Sequence, residues 1–337
     1  MNDTSAANIS LREDLKSSKD APSKAEGITL CSAFMLTFVL VVVGNLLTII
    51  LFAKNKGIRK KSLFLPVNMA FADLLLGVVS LPLYTYYVGF HFQLWTTGTE
   101  GFESTKALDI FFMVVDTLFS QASLISAAAI SCERFYAVRR PFQHRTLSKR
   151  AYCIAIFVVW ILALFASAIW TGLNVLLSHK HAMVVWGAHT LILVLIMCGC
   201  YIGIWTKFQS GGAASSHQQN RDLQNKRLTK TLLFVSGLTL LAWLPLVIFN
   251  FLISLWDLTV QWKFYFMVNV LNYSNAFVNP FVYALRIAEF RQAVSMRCFG
   301  REPPIITMLS KTKDEGHGAT EISHELAFEN DVMDSKL

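Results

Sequence analysis

The sequence predicts an all-α membrane protein: a seven-transmembrane helix bundle followed by a short amphipathic helix on the membrane surface. Three observations predict it. The chain of 337 residues is 54% hydrophobic and 15% charged, where soluble domains carry about 25% charge. It holds seven apolar runs, each long enough to cross a bilayer at about 20 residues per crossing. The loops between those runs alternate between base-rich and base-poor. An ordinary soluble enzyme of two domains does not fit this composition.

Taken in order, the runs are 28–53, 64–90, 107–136, 151–177, 182–206, 230–256 and 262–285. The first holds no charge. The third is the most polar, with Asp109, Asp116, Glu133 and Arg134, and is expected to fail a simple hydropathy window. A short polar patch, Ser178 to His181, separates the fourth from the fifth. Residues 1–27 are polar and mixed in charge, with no apolar core of the signal-peptide type, so the first span is expected to act as the insertion signal.

Loop charge sets the orientation. Lys54, Lys56, Arg59, Lys60 and Lys61 follow span one without an acid. Arg139, Arg140, Arg145, Lys149 and Arg150 follow span three in the same way. Lys207, Arg221, Lys226 and Arg227 follow span five, and further arginines follow span seven. The positive-inside rule places these loops in the cytoplasm. The N-terminal tail, 1–27, is then extracellular, and Asn2 and Asn8 in it are acceptor sites for N-glycans. The net charge of +8 faces anionic lipid and inner partners, which excludes nucleic acid as the partner. Residues 286–300 read as a membrane-surface helix with Cys298 as a lipidation site. Residues 301–337 read as a disordered cytoplasmic tail.

The six cysteines lie at 31, 132, 153, 198, 200 and 298. None forms a pair in a polar loop, so a disulfide-stapled fold is not supported. Cys198 and Cys200 are expected to be small buried hydrophobes.

Polar residues inside spans are costly and mark function, and here they form a series. Span one carries Gly44-Asn45. Span two carries Asn68 and Asp73. Span three ends in Glu133-Arg134-Phe135. Span four has Trp160. Span six has Ala242-Trp243-Leu244-Pro245, and span seven has Asn279-Pro280-Phe281-Val282-Tyr283. Pro245 and Pro280 each remove a backbone hydrogen bond and bend their helices.

In order and spacing these motifs resemble the rhodopsin-like (class A) G-protein-coupled receptors over about residues 28–299. The resemblance implies a plasma-membrane, multi-pass receptor that takes an extracellular small-molecule ligand, couples to heterotrimeric G proteins and is a target for arrestin. No enzyme activity and no cofactor are implied, apart from an allosteric sodium ion. That ion is expected among Asp73, Asn45, Ser123, Asn275 and Asn279, whose oxygens suit a hard cation. Glu133, Arg134, Phe135, Tyr201, Pro245, Asn279, Pro280 and Tyr283 are implied as the switch. The acid that locks Arg134 from span six in some relatives is replaced by Asn225, so appreciable basal activity is expected.

Asp116 lies 18 residues before Arg134, about 27 Å along a helix and in the outer half of the bundle. Amine receptors carry the acid that pairs with a ligand ammonium there, and Tyr273 matches a tyrosine that hydrogen-bonds it. Asn269, Trp243, Phe249 and Trp186 are expected to complete the pocket, with Asp109 seven residues nearer the surface on the same face, about 10 Å away. Leu246-Val247 stand where amine receptors carry a Phe pair, and the usual outer disulfide has no cysteines. A short second outer loop and an acid at Asp109 resemble melanocortin receptors. A small cationic amine is therefore the leading ligand, with an adenosine-, lipid- or melanocortin-like ligand as the alternative. A transporter is the competing class, but the two halves show no repeat of the kind transporters carry.

Overall fold

The computed structural model describes residues 23–54, 61–95, 106–209, 219–256 and 262–286, all within one compact unit. Asn2, Asn8, Cys298, the expected surface helix and the C-terminal tail lie outside the described residues. Nine α-helices are described. They are α1 (Lys24–Lys54), α2 (Phe64–Leu75), α3 (Leu81–His91), α4 (Lys106–Arg139), α5 (Pro141–Thr146), α6 (Lys149–Leu176), α7 (His179–Gln209), α8 (Gln219–Trp256) and α9 (Trp262–Arg286).

The second span is α2 and α3 joined by a π turn at Leu76–Ser80. Pro82 explains it. Proline has no N–H to continue the α ladder, and the Leu81 N–H instead bonds the Leu76 carbonyl five residues back. The short α5 starts at Pro141, where the missing N–H costs nothing. Ser148 caps α6, its hydroxyl accepting from the Ala151 N–H at 3.3 Å.

Six helical stretches among the described residues are long and apolar enough to cross a membrane. The third span, expected to fail this test, passes with a mean hydropathy of 1.6; its charges lie toward its two ends and leave an apolar middle. The seventh, α9, is the polar one. Its asparagines at 269, 275 and 279 are buried, so its polarity points into the bundle, where it packs on α1 and α8.

The bundle has its polar groups inside and its large apolar groups outside. Asp73, Asn45 and Gln121 are 0% exposed, whereas Phe165 is 64% and Trp205 65% exposed. That distribution suits a hydrocarbon solvent rather than water. Helix α4 is central and packs on α2, α6, α7 and α8. Trp160 Nε1 donates to Asn68 Oδ1 at 2.9 Å, and Asn68 Nδ2 donates to Ser126 Oγ at 3.0 Å. This chain ties spans four, two and three. Cys31 is buried, but Cys132 and Cys153 are exposed and Cys198 and Cys200 half-exposed. The expectation of buried cysteines in the Cys198–Cys200 pair is thus corrected. A thiol is a small hydrophobe, so an acyl-chain environment accepts it as readily as a core does.

Candidate functional site

Three groups of polar residues occupy three levels of the bundle. At the outer level, α4 presents Asp116 and α9 presents Tyr273, and the Tyr273 hydroxyl donates to Asp116 Oδ1 at 2.6 Å. Asp116 is partly buried, and fully buried Ser80, on the π turn, lies beside it. Among the described residues no basic side chain forms an ion pair with Asp116. Tyr84 packs on Tyr273 with ring centres 5.1 Å apart and on Phe34 at 5.0 Å. Phe112 and Phe266 close the same cluster. The acid therefore faces spans two and seven through aromatic rings whose negative faces attract a cation.

The other residues read as ligand contacts occupy separate parts of this level. Asn269 is buried and its amide donates to the Tyr265 carbonyl of its own helix at 2.8 Å. Tyr265 stacks near Phe249 at 6.4 Å. Trp243 is buried, and its ring centre lies 5.9 Å from that of Trp186, which lies 6.2 Å from Trp170. These indoles form a row across spans six, five and four. Asp109, half-buried, accepts from the Tyr87 hydroxyl at 2.7 Å. It is held by span two rather than simply exposed at the helix end.

At the middle level, Asn279 Nδ2 donates to Asp73 Oδ2 at 2.9 Å, and Ser123 stands beside the same carboxyl. Asn45 donates to two carbonyls, Val41 and Ala276, at 2.9 Å each. The second bond has a definite cause. Ala276 is four residues before Pro280, so proline leaves that carbonyl without its helical N–H, and Asn45 takes its place. Gly44 permits this approach: a β-carbon there would stand 3.2 Å from the Pro280 ring. Asp73 Oδ1, Asn45 Oδ1, Asn275 Oδ1 and Asn279 Oδ1 are all buried with no hydrogen-bond partner among the described residues.

At the inner level, buried Arg134 makes a two-pronged ion pair with Glu133 through Nε and Nη2. Glu133 has two further partners. His144 Nε2 lies 2.6 Å from Glu133 Oε1, and the Tyr152 hydroxyl donates to the same oxygen at 2.9 Å. His144 is on α5 and Tyr152 on α6, so the loop after span three and the foot of span four both grip this acid. Phe135 packs on Gly203 of α7. Tyr201 is half-buried on α7, two residues before that glycine. Pro245 and Pro280 lie inside α8 and α9. The side chains of Tyr283 and Asn225 lie outside what the structure describes.

Sequence reasoning missed Tyr84, Ser80, Tyr87, His144 and Tyr152. Pro82 is a visible sign that span two is irregular, and it bears on the first three. Pro141, a helix starter, bears on His144.

A family model described as the 7 transmembrane receptor (rhodopsin family) matches residues 44–283. The chain belongs to that family. It is similar to the adenosine receptor A2a of Canis lupus familiaris, with 27% identity over 301 residues, covering 75% of this chain and 68% of that protein. It is also similar to 5-hydroxytryptamine receptor 4 of Cavia porcellus, at 23% over 326 residues, covering 82% and 81%. Trace amine-associated receptor 4 of Mus musculus matches at 24% over 319 residues, covering 82% and 87%. The chain is thus a multi-pass membrane protein and a G-protein-coupled receptor, with an extracellular ligand and a G protein as its partners. It is not an enzyme. Among the described residues no group of three or more His, Cys, Asp or Glu side chains is placed to hold a metal ion.

Proposed function

We propose that the ligand of this receptor is a small cationic amine. One observation carries the reading: Asp116 has a tyrosine donor and aromatic neighbours but no basic partner among the described residues. A carboxylate in low dielectric favours an opposite charge strongly, and a ligand ammonium supplies one. Two of the three relatives named above are receptors with amines in their printed names. A ligand that prefers the signalling arrangement shifts an equilibrium already present, and a G protein does so reciprocally. The test is a panel of biogenic amines and uncharged heterocycles with cAMP and calcium readouts, on wild type and Asp116→Ala. Loss of the amine responses with retained surface expression supports the reading. Responses confined to an uncharged heterocycle and preserved in Asp116→Ala favour an adenosine-like ligand, the second reading that the A2a similarity suggests.

The orphaned oxygens at the middle level fit a sodium ion. Asp73 would supply the charge, and Asn45, Asn275, Asn279 and Ser123 the neutral oxygens. The ion would hold the resting arrangement. Agonist affinity then falls as sodium replaces potassium in wild type, and stays level in Asp73→Asn. The receptor would sit in the plasma membrane with its N-terminus outside and carry glycans at Asn2 and Asn8. Arrestin would be a further cytoplasmic partner, and the bilayer would hold Cys298 through a lipid.

A further inference from the structure

Cys132 on α4 and Cys200 on α7 bring their sulfurs to 3.7 Å, although the residues are 68 apart in sequence. That is van der Waals contact between two free thiols. A second, independent contact shows that the helices stay close there. One turn further in, the Phe135 ring lies on Gly203, where a β-carbon would overlap it. This pair has the same offset of 68 residues. Spans three and five thus run side by side in a fixed register at their cytoplasmic ends. Cys132 is exposed and Cys200 half-exposed, and both lie in membrane-spanning stretches, so oxidants dissolved in the bilayer reach them. Glu133 and Arg134 directly follow Cys132, and Tyr201 directly follows Cys200.

We propose that Cys132 and Cys200 are an oxidative modification site that joins spans three and five by a disulfide and holds the inner switch in its resting arrangement. The oxidant class is an organic hydroperoxide of the kind formed in membrane lipid. The exposed Cys132 sulfur attacks the hydroperoxide, the O–O bond breaks, and a sulfenic acid and an alcohol form. The Cys200 thiol then attacks that sulfur; the S–S bond forms, the S–O bond breaks and water leaves. Two thiols are oxidised and one hydroperoxide is reduced to an alcohol and water. A bond between these sulfurs fixes the present register of spans three and five, on which the placement of Arg134 and Tyr201 depends.

The experiment uses the full chain in cell membranes, treated with cumene hydroperoxide, alkylated and digested with trypsin. Peptides 107–134 and 181–207 should appear linked, two hydrogens lighter than their sum, and should separate on reduction. Free thiols should fall by two per chain in wild type, by at most one in Cys200→Ser, where the Cys132 sulfenic acid has no thiol to resolve it, and by none in Cys132→Ser. No linked peptide in wild type overturns the proposal, whether or not the serine variants reach the membrane. Linkage that persists in Cys200→Ser, through Cys198, overturns the assignment. Glu133→Gln frees Arg134 and biases the chain away from rest, so linking should slow about threefold in that variant. An unchanged rate there overturns the connection to the switch.

Discussion

Span three carries an acid toward each face of the bilayer, and the two are equipped in opposite ways. Glu133 is surrounded by partners from its own chain: Arg134, His144 and Tyr152. Asp116 has only neutral hydroxyls beside it, Tyr273 as donor and Ser80 next to it, with no basic side chain paired to it among the described residues. The inner acid is neutralised internally, which makes it a latch. The outer acid is left with charge to be neutralised by something else, which makes it a receiver. A buried charge that lacks a partner is expensive, so the outer site stores a preference for a cation, while the inner site stores a preference for staying shut.

The contrast can be broken from either end. The largest effect is expected at Asp116→Ala, which should lower amine potency about 100-fold, or about 3 kcal/mol, in a concentration–response assay. An unchanged amine response would remove the receiver. Tyr273→Phe deletes one hydrogen bond to the same carboxylate and should cost about tenfold in potency, in line with about 1.5 kcal/mol for a charge-assisted bond. At the inner end, Glu133→Gln should raise ligand-independent nucleotide exchange on the G protein about fivefold, a coupling of about 1 kcal/mol. His144→Ala removes one of the three partners of Glu133 and should give the smallest rise, about twofold. If His144→Ala matches Glu133→Gln, the histidine rather than the arginine is the main grip on the latch.

The two ends also differ in how far their construction can be read from residues alone. Asp116 and Tyr273 were legible because both lie on regular helices, where a fixed rise places one motif relative to another. Asn45, Gly44 and Pro280 were legible as a set, but the reason was not: the amide replaces the N–H that proline lacks, a contact between spans one and seven. Tyr84 was hidden by the π turn, because counting 3.6 residues per turn from Asp73 through Leu76–Ser80 loses the phase. His144 and Tyr152 were hidden because they meet Glu133 across a loop. The sulfur pair was hidden for a related reason. Periodicity describes one helix at a time, and the sliding offset between two parallel helices is decided by packing, such as Phe135 against Gly203. Hydropathy passes over the seventh span because it counts polar atoms without asking which way they face, whereas the third span passes because its charges leave an apolar middle.

The π turn in span two has a consequence for how such a pocket changes over generations. It accommodates one residue more than an α-helix needs at that point. Deleting a single residue between Leu76 and Ser80 would remove the bulge and return the span to regular helix with the part beyond it nearly in phase, because five residues of π turn advance the chain by about the rotation of four α-helical ones. Tyr84 would stay near Tyr273 and Tyr87 near Asp109, whereas a deletion anywhere else in the span would turn everything beyond it by about 100° and part both contacts. One codon lost there is therefore absorbed by the turn, and the same loss elsewhere in the span would redraw the pocket.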